Sequence, residues 1–256
     1  IKVDSPQHLR ANLLDKKEAE TAIAGSTHVY LCVGLAYNYQ VWERSWEIIM
    51  QNTIDACAKQ KARLIFLDNV YLYSAPLPIP FDENTPQLPP SKKGKIRKRV
   101  ADRLMLAIQE QRVKALIGRA ADFYGKRATN SVFYLSFLEL ILRGKNPKPL
   151  SRADIKHTFA NVSDVGNALV QLALCEDCYQ QVWHLPVAAP ITMEEVLSII
   201  NEYLTRDFKM KVMPKLLKFF LALFIPILKE TQEMEYQFTE TYVMSDKKFR
   251  QRFPNY

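Results

Sequence analysis

Only 7 of the 256 residues are glycine. That scarcity leaves little material for a glycine-rich, phosphate-cradling turn. Cysteine is sparse too: Cys32, Cys57, Cys175 and Cys178 make no disulfide framework in a chain of this size. Cys32 and Cys57 fall in apolar patterns and read as buried thiols. Cys175-Glu-Asp-Cys178 is a lone pair at a helix end, without the second ligand pair that a structural zinc needs, so no metal site is expected. No apolar run reaches the length of a bilayer span. Leu216 to Leu228 is too short and is interrupted by Lys218 and Pro226. Flanked by Lys215 and Lys229, the stretch 214–229 reads as the lining of a substrate lobe or a subunit contact, and peripheral membrane contact is the open alternative. With no signal peptide recognised, a reducing cytoplasm is the expected location.

What is present is an ordinary globular composition, 48% apolar and 24% charged. The net charge of +8 is local: Lys92, Lys93, Lys95, Arg97, Lys98 and Arg99 hold six of the eight excess charges, and the rest of the chain carries +2. One basic helix start is a weak electrostatic footprint, read as a solvated face, so nucleic acid is not an expected partner.

Apolar periodicity alternates between short runs and amphipathic stretches. His28–Val33 reads as a strand, Val41–Lys59 as a helix, Ala62–Leu67 as a strand and Ile96–Gln111 as a helix with Val100, Leu104, Ala107 and Ile108 on one face. Val113–Ile117 is the next strand, Asn130–Arg143 a helix, Ser163–Cys175 a helix capped by Ser163, and Gln181–Leu185 a strand. Thr192-Met-Glu-Glu195 is a capping box that opens a helix over Thr192–Leu204. This rhythm predicts a parallel α/β sheet, in which ligands sit just past the carboxyl ends of the strands. The residues to interrogate are therefore Asp68 to Tyr73 and Arg119 to Gly125. Their bland readings are structural: Asp68 and Asn69 as turn caps, Tyr71 and Tyr73 as packing aromatics, and Asp122 as a partner of Arg119.

With this order of elements, the chain resembles the extended and atypical short-chain dehydrogenase/reductases, the NAD-dependent epimerase/dehydratase family. The likeness implies a Rossmann-like, doubly wound parallel sheet over 1–150, a return to that core over 155–190, and a smaller, mostly helical substrate lobe over 191–256. Family members open with a glycine-rich turn on the dinucleotide pyrophosphate, and Ile1 is expected to fall after that unit. Ala11-Asn-Leu-Leu-Asp15 is similar to the adenine-holding segment, with Asn12 in the acid's place and Leu13 beside it. Val33, Gly34 and Leu35 resemble the strand end beside the cofactor, and Asn52 the helix asparagine of the active-site framework. Asn69, next to Asp68, stands where the family places a catalytic Ser or Thr. Arg119-Ala120-Ala-Asp122-Phe123-Tyr124-Gly125 is similar to a stretch near nicotinamide and substrate, with Asp122 in an asparagine's place.

The family's Tyr-x-x-x-Lys pair, a tyrosine acid/base with a lysine that lowers its pKa, has no tyrosine here. Two registers remain, Gly94 with Lys98 and Ser91 with Lys95, and both keep a lysine for the ribose. Tyr71 or Tyr124 is the spatial substitute to look for. His157 takes the place of an arginine that grips a nucleotide-sugar diphosphate, which disfavours that substrate class. The resemblance thus implies an NAD- or NADP-binding protein acting on a small molecule by an oxidoreductase, epimerase or dehydratase step, expected to be a homodimer. Catalysis would fall to Asn69, Lys98, Asp122 and Tyr71, and substrate contact to Asp122 and His157. The alternative is a dinucleotide-binding sensor or assembly module without turnover.

Overall fold

The computed structural model describes residues 9–149, 152–210, 230 and 232–256. The expected lobe lining or membrane contact at 214–229 lies outside the described residues.

Helix α1 (Lys16–Ile23) is capped by the Asp15 carboxylate, which accepts from the Lys17 and Glu18 N–H groups. Strand β1 (His28–Leu31), helix α2 (Tyr39–Gln60), β2 (Arg63–Asp68), α3 (Lys92–Gln109) and β3 (Ala115–Arg119) follow in strict alternation. A short β4 (Asp122–Tyr124) leads to a π-helical turn (Tyr134–Leu138) that runs into α4 (Glu139–Leu142). Then come β5 (Phe159–Asn161), α5 (Val162–Leu174), β6 (Val182–His184), α6 (Met193–Leu204), α7 (Tyr236–Thr239) and α8 (Lys247–Arg252).

The main sheet has the order β1-β2-β3-β6, parallel throughout. The middle residues of its central strands, Leu64 to Leu67 and Ala115 to Ile117, are apolar without a break because both faces are covered. Leu64, Phe66, Ala115 and Ile117 pack with Trp46, Ile49, Val100 and Leu104 of α2 and α3. Ile65 and Leu116 point the other way, onto Val165, Ala168, Leu169 and Leu172 of α5. The strand order advances in one direction while α5 crosses on the opposite face, so the β3-to-β6 crossover has the opposite hand to the two before it, against a strong general preference for one hand. Gly118 permits the close approach of α5, since a Cβ there would stand 2.7 Å from a Leu169 methyl.

The Rossmann-like α/β reading holds, and so does the Thr192 capping box, with both of its hydrogen bonds formed. Several boundaries move. β1 stops at Leu31, which leaves Cys32 exposed instead of buried. α3 starts at Lys92, because the Ser91 hydroxyl accepts from the Gly94 N–H. The helix expected from Asn130 starts near 132 and opens into a π turn. α5 is capped by Asn161, whose side chain accepts from the Ser163 N–H, so Ser163 is not the cap. β4 and β5, three residues each and paired parallel to one another, carry no periodicity long enough to be read beforehand. A third apolar cluster joins the π turn, α4 and α6 through Phe137, Ile141 and Leu197, beside the sheet's carboxyl edge.

Candidate active site

The carboxyl ends of β1, β2 and β3 open into one crevice of roughly 350 Å³. Past β1 it is lined by Val33, Gly34 and Leu35; past β2 by Asp68, Asn69 and Tyr71; past β3 by Ala120, Asp122 and Phe123. Nine of the residues singled out from the sequence thus face one space because three parallel strands end side by side.

The strand-end polar groups are also structural. Asp68 Oδ1 accepts from the Asn69 N–H at 2.8 Å, and Asn69 Oδ1 accepts from the Tyr71 N–H at 3.1 Å. Asn69 therefore spends its carbonyl on the turn and has its amide nitrogen left to offer. Tyr71 stacks on Trp42 with ring centroids 6.2 Å apart. Burial, with Tyr37 and Asp122 nearby, drives its phenol well above the ordinary range.

Other candidates fall elsewhere. Lys95 is exposed, and Lys98 pairs with Asp102 across 2.6 Å on the outer face of α3, so neither cation reaches the crevice. The Gly94 register could not hold a tyrosine, since a Cβ there would run into the Tyr71 carbonyl and Pro89. Ser91 is a helix cap outside the first turn. Asn52 donates its amide to the Leu13 carbonyl at 2.9 Å, and Asn12 accepts from the Leu14 N–H, so both support the α1–α2 region and do not line the crevice. Tyr124 pairs with Asn161 between β4 and β5 and is likewise absent from the lining.

The inward pair four residues apart on α3 is Lys93 and Arg97. The Lys93 ammonium is fully buried, bonded to the Glu230 carboxylate, to Glu233 at 2.9 Å and to the Glu230 carbonyl at 3.0 Å. Arg97 lines the crevice floor between Trp46 and Phe66 and donates to Asp68 through Nε at 2.9 Å. These two residues were missed from sequence, yet they extend the Val100-Leu104-Ala107 stripe backward at helical spacing. Behind Asp68, Arg119 Nε stands 3.5 Å away, and its guanidinium donates to the Tyr73 hydroxyl at 2.8 Å. Arg119 is thus bound to Asp68, and Asp122 pairs with His157, whose Nε2 lies 2.9 Å from Oδ2. His157 is 5% exposed and held by that carboxylate, a poor position for gripping a diphosphate.

A nicotinamide and its ribose suit these residues. Gly34 has open space where a Cβ would stand, which bares the backbone of the β1 end, and Arg97 on the floor and Asn69 at the β2 end line the same space with donor groups. Among the described residues no helix is long and apolar enough to cross a membrane.

No curated protein sequence matches the chain. Solved structures match its fold. One is a UDP-glucose 4-epimerase from Thermus thermophilus in complex with NAD, at 19% identity and a TM-score of 0.72, covering 95% of this chain and 78% of that one. A dTDP-glucose 4,6-dehydratase from Streptomyces venezuelae with NAD bound gives 12%, 0.74, 94% and 71% in the same order. A UDP-glucuronic acid 4-epimerase from Bacillus cereus with NAD gives 12%, 0.72, 91% and 70%. The family model for NAD-dependent epimerases and dehydratases matches residues 2–178. With more than half of its length under that match, the chain belongs to the NAD-dependent epimerase/dehydratase family.

Proposed function

We propose that the chain is an NAD(P)-dependent enzyme of the epimerase/dehydratase type that acts on a small molecule held at the sheet's carboxyl edge. The convergence of Gly34, Asn69 with Tyr71, and Asp122 from three successive strand ends into one crevice carries this reading. Bound there, a nicotinamide supplies hydride acceptance and return. The chain's own share is positioning. The backbone at Val33–Leu35 takes the ribose side, Arg97 holds a fixed positive floor, Asn69 orients a substrate oxygen, and Trp42 and Tyr71 keep water from one wall. His157, tied to Asp122, supports a substrate smaller than a nucleotide sugar.

Titration with NADH and with NADPH, followed by nicotinamide fluorescence, tests the reading. Saturable binding of one dinucleotide in the micromolar range supports it and names the cofactor; absence of binding to both overturns it. A second reading, a dinucleotide-binding module without turnover, is favoured by one observation: no tyrosine stands on the first two turns of α3, where Lys93 and Arg97 face inward. Bound cofactor with no absorbance change across a carbonyl panel would select it.

A further inference from the structure

Two cavities meet at Asp122. The crevice and a smaller cavity of about 50 Å³, lined on its far side by Phe133, Ser136, Arg152, His157 and Phe238, have Asp122 and Val132 in common. A substrate that reaches from the small cavity toward the crevice passes the Asp122 carboxylate.

The histidine behind that carboxylate is fixed. Its ring stacks on Tyr242 at 4.3 Å and 11°, and lies parallel to Phe238 at 5.9 Å. Its backbone exchanges hydrogen bonds with Ile191 at 3.0 Å in both directions. The imidazole cannot swing, so Nε2 stays on Asp122 Oδ2 at 2.9 Å. Two bare acceptors at that distance repel, so a proton lies between them, and beside an ionised carboxylate it belongs to Nε2.

The phenols nearby are poor alternatives. Burial first, and then the Asp122 charge among other neighbours, holds the Tyr71, Tyr37 and Tyr242 hydroxyls above their ordinary range. This is the reverse of the lowering that a catalytic tyrosine needs.

Building on the function proposed above, we propose that Asp122 is the catalytic proton acceptor of this chain and that His157 is its positioning residue. The His157 N–H occupies Oδ2 and leaves Oδ1 for a substrate hydroxyl. In the oxidative direction the substrate O–H bond breaks and its proton passes to Oδ1. The carbinol C–H bond breaks with its electron pair, which leaves as hydride to NAD(P)+, and the C=O bond forms. The alcohol is oxidised, the nicotinamide is reduced, and the carboxylate ends as a carboxylic acid that returns the proton in reverse. The groups facing Asp122 are Tyr37, Tyr71, Tyr242 and His157, with Arg97 and Arg152 on the walls of the two cavities.

The test uses the full chain, a panel of small secondary alcohols with NAD+ and NADP+, and imidazole 15N–1H spectra of histidine-labelled protein. Expected are a proton on Nε2 of His157 and an Asp122→Asn variant that binds NADH or NADPH as wild type does. That variant loses about 100-fold or more in kcat, with little change in KM. His157→Phe loses roughly tenfold, and His157→Gln, which keeps an N–H within reach of Oδ2, recovers part of it. A proton found on Nδ1 instead, or Asp122→Asn turning over like wild type, overturns the assignment while the cofactor reading stands. Wild type that binds cofactor but oxidises nothing in the panel also overturns it, in favour of the non-catalytic module. Failure to bind either dinucleotide overturns the reading beneath it.

Discussion

The Tyr73 hydroxyl lies 2.6 Å from Nε2 of His184, in a buried chain that starts at Arg119 and ends on the Ser245 carbonyl, 3.0 Å from Nδ1. The carbonyl can only accept, so the imidazole proton sits on Nδ1 and Nε2 accepts from the phenol. Burial, aided by the Arg119 charge, pushes the His184 pKa from 6.5 down to about 3. Between those values the unfolded chain binds one proton more than the folded one, so stability is full above about pH 6.5 and declines as pH falls toward 3. The slope from this group is at most about 1.4 kcal/mol per pH unit. Urea unfolding at pH 7.5 and pH 5 should show the loss, and His184→Gln should flatten it. An unchanged slope in that variant would mean that another group carries the acid sensitivity.

Asp68, with both oxygens buried, sits between the guanidinium groups of Arg97 and Arg119, so the triad holds two positive charges and one negative. Removing one partner from a buried ion pair costs about 3–5 kcal/mol. The triad makes that cost unequal. Arg97→Met leaves a balanced Asp68–Arg119 pair, whereas Asp68→Asn leaves two buried cations with no anion. Asp68→Asn should therefore destabilise more than Arg97→Met in urea unfolding, and the opposite order would show that Arg97's packing between Trp46 and Phe66 matters more than the charge balance.

The central strands and their partner helices were legible because burial on both faces writes itself as unbroken apolar runs, as in Leu64-Ile-Phe66 and Ala115-Leu-Ile117. The strand-end positions followed from topology, and nine of them do share the crevice. The helix α3 pair did not, because a stripe of lysines and arginines masks the helical period: Lys93 and Arg97 look like their neighbours, the exposed Lys95 and the half-buried Lys98. Their stabilising partners, Glu230 and Glu233 for Lys93 and Asp68 for Arg97, are far off in sequence. The Asp122–His157 contact spans 35 residues, from the start of the three-residue β4 to just before the three-residue β5, so no local spacing announces it.

Gly94 shows how a backbone position can set the site. In an exposed helix interior, Gly→Ala gains about 1 kcal/mol through helix propensity. At Gly94 the added methyl would stand 2.7 Å from Pro89 Cβ and 2.8 Å from Ser91 Oγ, and would meet the Tyr71 carbonyl as well. Two of those contacts are backbone or ring atoms with little freedom to yield, and overpacking of this kind costs typically about 1–3 kcal/mol. The strain should win, so Gly94→Ala should melt lower than wild type. Because α3 must back away from the Tyr71 turn to relieve it, Arg97 moves on the crevice floor, and the variant should also bind NADH more weakly. A higher melting temperature with unchanged binding would show that α3 does not press on the β2 end, and with it would go the steric reason why this position cannot carry the family's tyrosine.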